Sequence, residues 1–350
     1  MSAVTRPALS AASQRVALER ARAQANPQTD ALSEHTFLAQ FDAPRPWQVG
    51  PFRERPEYRF DGQPWSDPWN IGWSVQSLIN STLLPEGDRL HLFYRASPAK
   101  ESLASRIGHA VLGADGSWKD DPANPIVWPT VEGEDLGVED PKIYRAGDRF
   151  LLFYNGVFTV TDEDRERYPS PDYLVGDVGC DISVAESRDL RTWVKRGPVV
   201  DRELTRLWAK GAVIPRDLDG NAVRIGGQYL MFVSEGCNGV MHVGRSDDLL
   251  EWDFSPCAYL DLTGFGDKLH EVATAIVIDD RLVLDFFYET AGEWKAGQAL
   301  YRLDDPFTQV ELARGGTLAW GGVVRWRGET LFAQGWDAPP GSAQVQLFAR

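Results

Sequence analysis

One strand-like pattern returns five times in this chain, and it constrains the fold more than any other feature. A polar turn leads into an apolar run ending in aromatic residues, as in Asp88-Arg-Leu-His-Leu-Phe-Tyr-Arg95 and Asp148-Arg-Phe-Leu-Leu-Phe-Tyr-Asn155. It recurs as Gly227-Gln-Tyr-Leu-Met-Phe-Val-Ser234, Asp280-Arg-Leu-Val-Leu-Asp-Phe-Phe287 and Arg327-Gly-Glu-Thr-Leu-Phe-Ala-Gln334, with starts roughly 50 to 80 residues apart. A second pattern follows several copies: a strand with small residues, then a polar turn leading to Trp118, Trp193 or Trp252. Repeats at so long a period mean stacked supersecondary units. Short antiparallel strands with no helical pattern between them make four-stranded blades, arranged radially to protect their edges. The expectation is an all-β, five-bladed β-propeller over residues 46–350. The near-duplicates Ser187-Arg-Asp-Leu-Arg-Thr-Trp193 and Ser246-Asp-Asp-Leu-Leu-Glu-Trp252 are read as blade turns, capped by Ser and Asp, with Trp packed between blades.

Residues 1–45 stand apart. The stretch from Ser10 to Gln24 is rich in helix formers, lacks glycine and ends near Asn26-Pro27, so a short N-terminal helical extension is expected. It would pack on the body or support a homo-oligomer. The 350 residues carry a formal charge of −15, which argues against nucleic acid or an anionic membrane as partner. A neutral polyol such as a sugar is indifferent to that field. Three cysteines, Cys180, Cys237 and Cys257, lie far apart without a C-x-x-C motif, and are read as reduced thiols. No apolar run approaches the roughly 18 residues of a membrane span, and the N-terminus has no apolar signal core. A cytoplasmic location is expected, with no cofactor and no metal.

In a propeller the inner strands converge on a central channel, so residues distant in sequence meet there. A carboxylate screened from water there is expected to have a raised pKa and to act as an acid. The clearest candidate segment is Glu134-Asp-Leu-Gly-Val-Glu-Asp-Pro-Lys-Ile143, just before the second repeat strand. An innermost strand should be apolar, yet this one holds adjacent acids followed by Pro141, which biases Asp140 towards an extended backbone. Asp285 and Glu289 flank another repeat strand and are read as channel-lining. His270 is a candidate for substrate, with no His-x-x-x-His or facial triad to make it a metal ligand. His91, His109 and His242 are read as satisfied internal residues. Trp69, Trp73, Trp208, Trp320 and Trp336 offer faces to a sugar, although each by itself is more often packing.

The segment Gly137-Val-Glu-Asp-Pro-Lys142 resembles the signature of glycoside hydrolase family 130, the β-mannoside phosphorylases and related β-mannosidases. Asn80-Ser81, Phe93-Tyr-Arg-Ala96, Ser105-Arg-Ile-Gly108, Lys210-Gly-Ala-Val-Ile-Pro215 and Leu303-Asp-Asp-Pro306 also resemble recurring family segments, so the likeness runs over residues 75 to 325 or so. It implies a five-bladed propeller in which Asp140 is the general acid, acting through a sugar hydroxyl. Glu139 and Lys142 would bind sugar hydroxyls or fix Asp140, and Asn80, Ser81, Arg95, Lys210 and His270 would help bind substrate. Lys142 stands where the family usually has Arg, which loses a bidentate fork. Arg95 and Lys210 match two positions of the family's phosphate site. The His of that site is absent, and Phe232-Val-Ser-Glu235-Gly takes its place. Lys268-Leu-His-Glu271 adds a second acid where a glycine-rich loop is usual. A carboxylate there repels a phosphate dianion, and hydrolytic members carry glutamates in place of phosphate ligands. The expectation is therefore an inverting β-mannoside hydrolase, with Glu235 or Glu271 activating water. The alternatives are a β-mannoside phosphorylase, a non-catalytic sugar-binding propeller and a related propeller acting on furanosides.

Overall fold

The computed structural model describes residues 7–23, 32–173 and 175–350. Four blades are formed by consecutive antiparallel strands: Ser77–Glu86 to Trp118–Asp120, Gly137–Ala146 to Val194–Pro198, Ala209–Val213 to Asp253–Pro256, and Lys268–Ile278 to Glu311–Arg314. Each of the five sequence repeats is the second strand of a blade: Arg89–Ser97, Arg149–Thr159, Gln228–Gly236, Arg281–Thr290 and Glu329–Gln334.

The fifth blade is built from both ends of the chain. Its strands Val324–Trp326, Glu329–Gln334 and Gln344–Ala349 are completed by Arg53–Glu54, with Arg53 opposite Ala349. Phe60–Asp61 adds a second short partner to the same strand. Bringing an early strand to the outer edge of the last blade closes the ring and satisfies a sheet edge.

Large side chains fill the seams between blades. Trp193, after the third strand of blade 2, meets Phe93 of blade 1 edge-on at 5.9 Å, and Trp252 of blade 3 meets Phe153 of blade 2 at 6.3 Å. The preceding turns are capped as the repeats imply. The Ser187 hydroxyl accepts from the Leu190 amide at 2.9 Å, and Asp189 Oδ1 accepts from those of Arg191 and Thr192. Ser246 and Asp248 repeat the arrangement in blade 3. Full burial of one such ring, as at Phe93, contributes about 2 kcal/mol.

Among the described residues, two helices precede the closing strand. Helix α1 (Ala11–Ala23) buries Gln14, Ala17, Leu18 and Ala21, a one-face spacing. Gln14 Nε2 donates to the Asp135 carbonyl at 2.7 Å, and Arg20 pairs with Asp177 at 2.9 Å. Asn26-Pro27, where the sequence places the end of this helix, lie outside the described residues. Helix α2 (Glu34–Leu38) starts at Ser33, whose hydroxyl accepts from the Thr36 amide at 3.1 Å. All three cysteines are free thiols.

Candidate active site

The same rung of strand pairing carries the charged residues in three blades. Ile79 faces Arg95 in blade 1, Glu139 faces Asn155 in blade 2, and Lys210 faces Glu235 in blade 3. Immediately after it, the inner strands of blades 1 and 2 each slip by one residue. The residues in those bulges, Asn80 and Asp140, take left-handed backbones with φ of 49° and 55°. Asp140 is therefore not extended, contrary to the expectation from Pro141. Asn and Asp tolerate this region better than most residues, and a bulge re-aims the side chain it carries. In blade 3 the equivalent residue is Gly211, φ 60°. A Cβ there would lie 2.2 Å from Ser234 Oγ and 2.9 Å from Glu271 Cγ. Glycine at this position leaves the space that Glu271 occupies.

The bulges bring four carboxyl groups and three cations together. Asp140 Oδ1 accepts from Asn80 Nδ2 at 2.5 Å and from Arg95 Nη1 at 3.1 Å, and its Oδ2 lies 3.5 Å from Lys210 Nζ. Glu139 pairs with Arg95 at 2.7 Å and with Lys210. Lys142 Nζ reaches Glu271 Oε1 at 3.4 Å and lies 6.0 Å from the Trp320 ring. It makes one carboxylate contact where an arginine would offer a fork. Arg95 is also held by Ser105 Oγ at 2.8 Å and the Ser102 carbonyl at 3.1 Å.

Burial alone would raise Asp140, but Lys210, Arg95, Lys142 and the Asn80 amide outweigh it and hold this carboxyl well below the usual carboxylate range. The direction is opposite to the one expected from screening alone, because three cations enter the channel with the acid. Glu271 goes the other way. Burial first, then Glu235 and Asp140, push it up to about 8 against the opposing pull of Lys142.

Glu235 accepts a hydrogen bond from Trp208 Nε1 at 3.1 Å. Glu235, His270 and Glu271 each bring a donor atom within 4.8 Å of the others. This grouping has the composition of a cation site, which the sequence spacing around His270 did not indicate. His270 sits at a bulge in the inner strand of blade 4, stacked on Phe287 at 4.9 Å. Glu289, cross-strand from Lys268, is half-buried and close enough to influence the His270 ring. A cavity of ≈ 530 Å³ lined by Asp172, Tyr173, Trp208 and Lys268 shares its Trp208 wall with Glu235.

Asp285 is not among these residues. It is fully buried and accepts from Gln298 Nε2 at 2.7 Å and from the Thr317 amide at 3.0 Å. Burial lifts it to about 7 and these bonds offset part of that rise. It is an internal strut, and the expectation that it lines the channel is corrected. Ser81 shares the bulge of Asn80, with its hydroxyl buried and outside the ion-pair cluster. His91 and His109 face each other at 2.9 Å, His109 also meets Asp121 at 2.9 Å, and His242 meets the Val240 carbonyl at 2.8 Å. Trp73 is buried and stacked on Trp65, so it offers no free face to the site, and Trp69 meets Trp128 edge-on. Trp336, a stacking candidate by sequence, instead donates from Nε1 to Asn80 Oδ1 at 2.9 Å. Tyr173 was missed, since it lies in a polar loop with no pattern to mark it.

A family model described as beta-1,4-mannooligosaccharide phosphorylase matches residues 48–260. The chain is 30% identical over 95 residues to a beta-1,2-mannobiose phosphorylase of Thermoanaerobacter sp. (strain X514), covering 24% of this chain and 31% of that relative. The chain thus spans about a third of the length of the curated relative it matches. Among solved structures, one is described by the statement that the GH130 family of mannoside phosphorylases contains glycoside hydrolases targeting beta-1,2 mannosidic linkages in Candida mannan. It aligns at a TM-score of 0.63 and 18% identity, over 87% of this chain and 95% of that one. The beta-1,2-mannobiose phosphorylase of Listeria innocua, in complex with beta-1,2-mannobiose, aligns at 0.56 and 14%, over 81% and 92%. At such identities these structures speak for the fold, and they share the propeller. With the family model spanning more than half of the sequence, the chain belongs to glycoside hydrolase family 130, whose members are glycosyl-processing enzymes.

Proposed function

We propose that this enzyme hydrolyses β-mannosides by a single inverting displacement, with Asp140 as the proton donor and Glu235, beside Glu271, activating water. The observation that carries the choice of water is the charge of the site. Arg95 and Lys210 each already have a carboxylate partner within 3.5 Å, Lys142 faces the Glu271 carboxyl group at 3.4 Å, and Glu235 brings a further acid without a fourth cation. A phosphate dianion entering here would have to strip those pairs and approach Glu235, whereas water costs no such rearrangement.

The contacts of Asp140 and the environment of Glu271 support these roles in proton transfer. Asn80 and Arg95 both donate to Oδ1 of Asp140, so a proton on this carboxyl must reside on Oδ2, the oxygen facing Lys210. Asp140 is ionised in the resting site. A sugar hydroxyl entering between Oδ2 and Lys210 would weaken that ion pair, raise the carboxyl and provide the relay for the proton. Glu271, pushed up to about 8, holds a proton at neutral pH, which makes Glu235 the base of the pair. The cavity between Trp208 and Tyr173 would take the rest of the saccharide against aromatic walls.

Phosphorolysis is the second reading, and kinship favours it over hydrolysis: the family model and the curated relative are both described as phosphorylases. The three converging cations suit it as well, because a bound dianion would draw Lys210 and Arg95 from Asp140 and so protonate the acid. Incubating β-1,2- and β-1,4-linked mannobiose with and without inorganic phosphate separates the two. Hydrolysis releases mannose at the same rate in both mixtures. Mannose 1-phosphate formed only with phosphate would replace the first reading by the second.

A further inference from the structure

The N-terminal extension is connected to Asp140 by hydrogen bonds. Glu34, the first residue of α2, is 1% exposed. Its carboxyl group, which burial and the neighbouring Asp337 push well above the usual carboxylate range, is divided between two consecutive amides: Oε1 accepts from Trp336 N at 2.6 Å and Oε2 from Asp337 N at 2.8 Å. An acid buried this far persists only where both oxygens find donors, and here they clamp the loop after the last repeat strand.

The end of that strand and the loop after it hold Asn80 at its backbone and its side chain respectively. Gln334 Oε1 accepts from the Asn80 amide nitrogen at 2.6 Å, and Trp336 Nε1 donates to Asn80 Oδ1 at 2.9 Å. An indole N–H is only a donor, so the Asn80 carboxamide must turn its oxygen to Trp336 and its NH₂ to Asp140. The contact made there, Asn80 Nδ2 to Asp140 Oδ1, is 2.5 Å long. A backbone displacement at Trp336 would free the carboxamide to rotate and would shift Asp140 within its left-handed bulge.

We propose that Glu34 is a positioning residue for Asp140, acting through Trp336 and Asn80, so that the N-terminal extension belongs to the working parts of the active site. This rests on the reading of Asp140 as proton donor. The test is steady-state kinetics of the full-length chain, on whichever mannoside it cleaves, for Glu34→Gln, Trp336→Phe, the double variant and Asp140→Asn. Glu34→Gln keeps the size of the side chain but turns an N–H₂ towards one of the two amides. It should lower kcat about 10-fold, in the range seen when a supporting hydrogen bond behind a reactive group is lost, with KM changed less than about twofold. Trp336→Phe, which removes the donor and keeps a ring, should do the same. The double variant should be no worse than the more damaged single, because both cut one line. Unchanged kcat in Glu34→Gln, or losses that multiply in the double variant, would overturn the proposal. Should Glu34→Gln not fold, Glu34→Asp, too short to span both amides, carries the same prediction. Full activity of Asp140→Asn would sink the donor reading itself. An inactive Asp140→Asn beside a fully active Glu34→Gln would sink only the role of Glu34.

Discussion

The two sides of the active site hold carboxyl groups of opposite character a few residues' width apart. On the side of blades 1 and 2, Asp140 lies among Asn80, Arg95 and Lys210 and is held far below the usual carboxylate range. On the side of blades 3 and 4, Glu271 has one lysine contact, faces Glu235 and is lifted to about 8. Burial penalises both groups, so burial does not separate them. What separates them is the number of cations each bulge presents: the slip at Asn80 and Asp140 turns these side chains onto the Arg95–Lys210 rung. Two acids with divergent affinities for protons, in one water-poor channel, are what an acid–base displacement requires.

The largest effect should come from breaking the cationic side. Asp140→Asn keeps the Asn80 contact but leaves no carboxyl to carry a proton. It should lower kcat by about 10²–10⁴-fold, the usual worth of general acid catalysis, while ligand binding measured by calorimetry persists. Next comes the opposite side. Glu235→Gln should reduce hydrolysis by about 10²-fold and leave the phosphate-independence of what remains unchanged. An increase in phosphate-dependent turnover in this variant would show that Glu235 serves to exclude the dianion rather than to activate water. The smallest effect is one of stability. The Glu271 carboxyl is raised from its ordinary 4.5 to about 8 on folding. It therefore favours the folded state fully below pH 4.5 or so, and this contribution is lost as pH rises towards 8. Glu271→Gln cannot ionise, so its melting temperature should exceed that of the wild type at pH 8 by roughly 2 °C per kcal/mol recovered and match it near pH 5. Equal melting temperatures at both pH values would remove the contrast between the two acids.

The five repeats reveal the propeller because each second strand joins a turn signal to an apolar run, and both are local properties. The Ser-x-Asp-Leu turns are legible for the same reason. Asp140 stands out as an acid in an inner strand, but its left-handed backbone and its depressed pKa do not, since both arise from register slips and from partners on three blades. Asp285 shows the converse. An acid within an apolar strand reads as channel-lining, and only the fold brings Gln298 and Thr317 to satisfy it internally. Glu34 is invisible in the sequence because its two amide partners lie some three hundred residues away.

The contrast between the two acids is tested most directly by infrared difference spectroscopy of the protonated-carboxyl band. At neutral pH the wild type should show, beside the bands of other buried acids such as Asp285 and Glu34, a carboxyl C=O component that fades as pH passes about 8, is lost in Glu271→Gln and is intact in Asp140→Asn. A band that vanishes in Asp140→Asn and survives in Glu271→Gln would place the resting proton on the other acid and contradict the account.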